Sequence, residues 1–447
     1  MSNDQLNPVG TIRPSQLLWS FGPGAVVDLP RLSTVVMGLD RWNDRTGGDP
    51  VNEPRLLAAV RQHHSRKGHG VNRLLVPRVP KDPSQGFGAI PDDVKDYHVP
   101  VAPFPQWLRC PICGRLAPVG SGVFELKTDD WHWDRVAYIH SGCPKMLGKR
   151  PPEAVPARFL VACEGGHLDD FPWHYYVHRG PSTCTGSLKF YEAGASLETE
   201  NLWVECECGV RRSMAEAFGD AGKKNLPKCR GRHPHLSHFD PSCDEELRTV
   251  LLGASNAWFP VTLSALTLPA TVSPVRQVVE DNLHVIGHFT NTDVLQATLQ
   301  AMRSIQGVDE RLFEHTAEEL FEALTQLTSE SSDADSVLDT DDLKGPEWEL
   351  FTSITSEVQT DEFVAIVDRA PPRFEGLIER VIRLEKLREV QALLGFTRIA
   401  PPDEEDAAGE LTDVVSLGSQ GQDWLPASIV RGEGILLQFK REAIERW

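Results

Sequence analysis

The stretch VACEGGHLDDFPWHYYVH, residues 161–178, holds a cysteine, three histidines and two adjacent aspartates. These side chains suit metal-assisted hydrolysis: an imidazole and two carboxylates can hold a cation that lowers the pKa of bound water. One reading is therefore a metal-dependent hydrolase or nuclease using His167, Asp169 and Asp170. A catalytic zinc needs an open position and a general base. The sequence has neither His-Glu-x-x-His nor the deaminase pattern of His-x-Glu followed by Pro-Cys-x-x-Cys. In the structural alternative, Asp169 and Asp170 cap a helix over FPWHYYVH, with Pro172 at an early helical position. His174 and His178, four residues apart, then share one face of that helix.

The nine cysteines favour the structural alternative. All lie between residues 110 and 243, and the N-terminal MSNDQLNPVG has no secretory signal character. The chain reads as cytoplasmic, where thiols stay reduced and metal ligation outweighs disulfides. Cys110 and Cys113 in RCPICG form a knuckle: a tight turn aims two thiolates at one ion, and the following glycine lets amides face the sulfurs. Cys206 and Cys208 in ECECG repeat the device at shorter spacing. Taken in chain order, the cysteines predict two closed Zn2+ sites, Cys110, Cys113, Cys143 and Cys163, then Cys206, Cys208, Cys229 and Cys243. Cys184 is left over, and His140 and His167 are possible substitutes. Closed sites carry structure, so no catalytic residue is assigned and the chain is read as a non-enzyme.

The elements that must hold these ligands follow from pattern. RPSQLLWSFGPGAVVDLPRLSTVVMG reads as a short helix, a Gly-Pro-Gly turn and two strands; the turn lacks the Lys-Ser/Thr of a phosphate loop. Residues 43–109 read as loops with short strands, including the basic loop RQHHSRKGHG at 61–70. From 271 onward several segments show helical spacing. In one, Leu377, Val381, Leu384, Leu387 and Leu394 form a stripe with Gly395 as C-cap. The expected fold is α+β, a zinc-stapled β-rich N-terminal half with a largely helical C-terminal half. The expected domains are 1–109, a β/loop region; 110–270, the cysteine module; 271–400, a helical domain; and 401–447, a short α/β tail. No apolar run approaches membrane-spanning length, so no membrane partner is expected.

The formal net charge is −19, from 64 acidic and 45 basic side chains, which disfavours binding DNA by overall attraction. Acid concentrates at 328–342 and 401–410. Base concentrates at 206–238, making Arg211, Arg212, Arg230 and Arg232 the leading candidates for phosphate contact. Arg61, Arg66 and Lys67 come next. Arg380, Arg383 and Arg388 are balanced by Glu379, Glu385 and Glu389.

The segments RPSQLLWSFGPGAVVDLP, WLRCPICGRL, RFLVACEGGHLDDFPWHYYVH, CECGVRRSMAEAFG, GRHPH, SNAWFPVTLSALTLP and LREVQALLGFTRI, in that order, resemble the DrmB family. Its members are accessory proteins of DISARM, a bacterial anti-phage defence system with a restriction-modification character. The resemblance implies a DrmA-like helicase as partner, DNA engaged through the complex, and methyltransferase and phospholipase-D-like components beside it. This chain has no Walker A motif and no His-x-Lys-x₄-Asp motif, so neither of those chemistries is its own. Family members usually continue into a further C-terminal domain, expected to be missing here.

Overall fold

The structure is a computed structural model. It describes residues 9–10, 12–42, 48–65, 70–77, 98–128, 135–146, 148, 150–192, 201–269, 278–279, 282–287, 289, 291–303, 309–313, 315–332, 342–402, 414–419 and 423–446. The chain divides into two compact units, each built from separated segments. The first holds Met1–Asn52, His63–Leu263 and Gln391–Ile429; the second holds Glu53–Gln62, Ser264–Val390 and Val430–Trp447.

The first unit begins as its sequence suggests, with a helix at Pro14–Trp19 and strands β1 (Val26–Asp28) and β2 (Ser33–Val36). β2 also pairs with β3 (Val101–Pro103), so three short antiparallel strands close one sheet. A larger antiparallel sheet carries the cysteine pairs. It contains β4 (Trp107–Arg109) and β5 (Arg115–Pro118), joined by the first knuckle. A third small sheet includes β7 (Phe159–Ala162) and β8 (Leu168–Asp170), joined by the turn CEGGH; β6 (Ala137–Ile139) precedes them in a two-stranded ribbon. The large sheet continues through β9 (Leu188–Glu192), β10 (Leu202–Cys206) and β11 (Arg211–Ser213). The third sheet is completed by β12 (Arg248–Leu251) against β7.

Alternation along β9 and β10 puts Leu188, Phe190, Val204 and Cys206 inward. They join Phe159, Phe171, Trp173 and Tyr176 in one core, where the rings meet mostly edge-on or tilted, with centroids 4.7–6.2 Å apart. The interleaved aromatics of FPWHYYVH therefore serve packing.

The second unit contains helices Thr292–Met302, Ala317–Ser332 and Lys344–Ser353. Thr316 and Glu319 exchange hydrogen bonds, 2.9 and 3.3 Å, as a capping box. Leu295, Leu299, Leu320 and Leu324 are buried in its helical core. The same unit holds strands at Val358–Gln359 and Val364–Asp368, so the C-terminal half mixes helix and sheet.

The clearest departure from expectation is β13, an unbroken strand over Ile378–Thr397. Val364–Asp368 pairs with it antiparallel. Its leucine spacing also fits a helix, but Ile378, Ile382 and Leu384 alternate with Glu379, Arg383 and Glu385, which is strand patterning with β-branched support. Leu377, assigned to the helical stripe, is 41% exposed. Gly395 is no C-cap: it lies within the strand, where a Cβ would meet the Val415 carbonyl oxygen at 2.6 Å. A second long strand, β14 (Trp424–Phe439), lies in the stretch expected as a short α/β tail. The expected loop at 61–70 is helical through Ser65, as the end of Pro54–Ser65; Arg66 and Lys67 lie outside the described residues. Most of the acidic stretches 328–342 and 401–410 also lies outside them, although 328–332 is helical.

Candidate metal centres

Among the described residues, cysteines and histidines of the first unit gather into three quartets. Within each, four ligand atoms lie within 4.8 Å of one another. All nine cysteines are unbridged, and each quartet takes three of them with one histidine.

The first quartet is Cys110, Cys113, His140 and Cys143. The β4–β5 hairpin supplies two thiols. Cys110 accepts a hydrogen bond at its carbonyl from Gly114 N–H (3.0 Å), and Gly114 turns the chain at φ 76°, a conformation glycine adopts without strain. The other pair follows β6, where the Cys143 N–H donates to the His140 carbonyl at 3.2 Å. Cys110 Sγ lies 3.9 Å from Cys143 Sγ, and Cys113 Sγ lies 3.6 Å from His140 Nδ1.

The second quartet is Cys163, His167, Cys229 and Cys243. Cys163 follows β7 and His167 precedes β8, so the hairpin turn itself presents two donors; Sγ to Nδ1 is 3.2 Å. Cys163 and Cys243 sulfurs are 3.9 Å apart. The Gly231 N–H donates to Cys229 Sγ at 3.3 Å, the amide-to-sulfur contact expected of a ligand thiolate.

The third quartet is His178, Cys184, Cys206 and Cys208. His178 caps the helix Trp173–Val177 at its C-terminal end, and its Nδ1 lies 2.8 Å from the His174 carbonyl. That contact protonates Nδ1 and leaves the Nε2 lone pair free, 3.5 Å from Cys208 Sγ. Cys206 ends β10, the turn reverses at Gly209 (φ 93°), and Cys184 Sγ lies 3.6 Å from Cys206 Sγ.

The donor geometry fits zinc. Zn–S bonds of about 2.3 Å in a tetrahedron place sulfurs about 3.8 Å apart; one sulfur pair in each quartet lies at 3.9, 3.9 and 3.6 Å respectively. Crowding also fits. Burial pushes the Cys113 and Cys206 thiols up to about 11. The neighbouring Cys229 thiol, and then burial, push Cys163 up to about 12. Thiols this reluctant to ionise together need a cation among them to become thiolates. Exposed Cys208 goes the other way, to about 7, through the Val210 backbone hydrogen bond and then His178.

The grouping differs from chain order. Cys163 does not join Cys110, Cys113 and Cys143; their fourth donor is His140. Cys229 and Cys243 do not join Cys206 and Cys208 but close on Cys163 and His167, while Cys184 belongs with Cys206 and Cys208. Chain order fails because each quartet joins separate segments, such as the helix end at His178 with the turn after β10, and tertiary packing decides which of them meet.

Asp169 and Asp170 are not helix caps. Both lie in β8 and are buried, and the helix Trp173–Val177 begins at Pro172 with no side-chain cap. Asp169 takes hydrogen bonds from the Arg230 guanidinium (Nε and Nη2) and from Arg232 Nη1 at 2.7 Å. Asp170 accepts from the same Arg232 atom at 2.7 Å and from the Gln106 and Trp107 amides at 2.7 and 3.2 Å. Carboxylates so engaged are poor metal ligands or general bases, which removes the geometric support for a hydrolytic centre at His167, Asp169 and Asp170.

The same contacts change the candidate phosphate contacts. Arg230 and Arg232 face Asp169 and Asp170. Arg212 is 3% exposed, pairs with Glu216 at 2.9 Å and donates to the Tyr176 carbonyl at 3.1 Å. Arg211 is exposed and lies over the Trp203 ring, 5.2 Å from its centroid. Charge density in sequence counts the guanidiniums but not their internal carboxylates. In the second unit, Arg380, Arg383 and Arg388 lie on a strand; Arg383 pairs with Asp368 and Glu385, and Arg388 donates to Thr267.

Among the described residues no helix is long and apolar enough to cross a membrane. A family model described as "Domain of unknown function (DUF8724)" matches residues 13–259, a span that includes all twelve quartet residues. The DISARM protein DrmB of Bacillus paralicheniformis is 30% identical over 416 residues, covering 89% of this chain and 69% of that protein.

Proposed function

The chain belongs to the DrmB family, and we propose that it acts in DISARM anti-phage defence as a non-catalytic subunit stapled by three structural zinc ions. The observation that carries this reading is the closure of all three quartets. Each offers four protein donors, leaving no protein-free position at which a metal-bound water would react. Nine unbridged cysteines suit a reducing compartment, so we place the protein in the cytoplasm.

Within that reading the partner is a DrmA-like helicase, and DNA is engaged by the complex. A chain of net charge −19 binds DNA weakly alone. Phosphate contact centres on exposed Arg211, because Arg212, Arg230 and Arg232 face internal acceptors. Co-expression with the helicase tests the assignment. The two should co-purify, and Arg211→Glu should lower the salt slope of DNA binding by about one unit without releasing the helicase. A metal-dependent nuclease activity intrinsic to the isolated chain would overturn the non-catalytic reading.

A further inference from the structure

Arg398 is a buried cation with no carboxylate beside it. It is 1% exposed. Its Nε donates to the Gly166 carbonyl at 3.0 Å, Nη2 to the Gly24 carbonyl at 2.8 Å, and Nη1 to the Ala257 carbonyl. Its guanidinium lies 4.7 Å from the Phe396 ring centroid. Among the described residues no Asp or Glu forms an ion pair with it. Carbonyls and a ring face satisfy its hydrogen bonds but do not neutralise it, and an unneutralised charge is costly in the interior.

The neighbouring anion is supplied by the second quartet once it holds metal. Gly166 lies in the CEGGH turn, between ligands Cys163 and His167, and its N–H donates to the Cys163 carbonyl at 3.1 Å. Three thiolates, one neutral imidazole and Zn2+ sum to −1. The carboxylates closest in the chain are already engaged: Asp169 and Asp170 both pair with the largely buried Arg232, and Asp169 also with the 65% exposed Arg230. The carboxylates of Glu164 and Glu245, near the turn, are exposed and screened by water.

We propose that Arg398 is the counter-charge of the second centre and a positioning residue for its ligand turn, so that metal binding there, and not at the other two centres, depends on its positive charge. This rests on the zinc reading above. It predicts a loss of metal affinity at one centre of about 10- to 100-fold when the charge is removed, the usual effect of deleting an outer-shell partner.

The test uses the full chain loaded with cadmium and observed by cadmium NMR during chelator titration. Wild-type protein should give three resonances, and Cys243→Ser identifies the one belonging to the second centre. Fewer than three in wild type defeats the zinc reading itself, whatever Arg398 does. With three present, Arg398→Met should lose the second-centre signal at about 10- to 100-fold less chelator than wild type, with the other two unmoved. Arg398→Lys, which keeps the charge, should restore it close to wild type. The inference is overturned if Arg398→Met retains all three signals to the wild-type chelator concentration, or if Arg398→Lys loses the second signal as readily as Arg398→Met. Should Arg398→Met lose all three signals together, Arg398→Lys decides: retention of the second centre supports the inference, and loss or misfolding overturns it.

Discussion

Removing the Asp169 carboxylate would leave Arg232, largely buried, with only Asp170 to face. Breaking a buried ion pair costs about 3–5 kcal/mol. Arg230 is 65% exposed, so its share is screened; Asp169→Ala is expected to cost about 2–3 kcal/mol, read from the urea unfolding midpoint. Unchanged stability together with loss of a hydrolytic activity would restore the catalytic reading. Reversing Arg230 and Arg232 to glutamate should unfold the first unit rather than report on DNA, which is why Arg211→Glu is the informative change. His235 supplies a pH dependence. It is fully buried, its Nε2 lies 3.0 Å from the Ser416 carbonyl, its Nδ1 has no hydrogen-bond partner among the described residues, and burial pushes it down to about 3. The unfolded chain takes up this proton below about 6.5 while the folded chain resists until about 3. Stability is therefore lost as pH falls through that window. In His235→Gln the drop in urea midpoint between about pH 7 and about pH 5 should be smaller than in wild type; an equal drop would show that His235 is not responsible. The ligand types were legible in sequence, with His140 and His167 held open as substitutes, but the local pairs His140-x-x-Cys143 and Cys163-x-x-x-His167 were not read as such. The missed signal was number: nine cysteines divide evenly into three trios, each needing one histidine, whereas two four-cysteine sites strand Cys184.

At the scale of elements, β13 decides between two periodicities. A helix over this segment would bury Leu377 and Leu387 on one stripe. The strand buries Ile382 completely and leaves Leu377 41% exposed. Ile382→Ala should cost about 2–5 kcal/mol in unfolding free energy, and Leu377→Ala under about 0.5 kcal/mol. Comparable losses at both positions would fit the helix instead. The sequence was ambiguous here because a leucine every three or four residues and an alternating Ile-Arg-Leu-Glu run coexist. Pairing with Val364–Asp368 resolves it, and that contact is invisible to local pattern. Elements with local punctuation were legible: the Gly-Pro-Gly turn before β1 and both knuckles. The end of Pro54–Ser65 was not, because histidines and charge in RQHHS resemble a solvated loop while the helix continues through them.

Over the whole molecule, the proposed zinc centres would take the place of a large continuous core in a unit made of many short strands. The described strands β1 to β12 are three to five residues long, and the first unit splits its apolar residues among separate clusters. Short strands with divided cores need staples, and structural zinc contributes its binding free energy to folding. Each centre joins segments far apart in sequence, as Cys163 with Cys243 does across 80 residues. Loss of any one centre should therefore lower the melting temperature of the first unit. The most direct test of the account is the metal content of reductant-protected, purified chain, measured by elemental analysis against protein concentration. The account predicts three zinc ions per chain, falling to two in each of Cys110→Ser, Cys163→Ser and Cys206→Ser. Two ions in wild-type protein, with Cys184→Ser leaving the count unchanged, would contradict it.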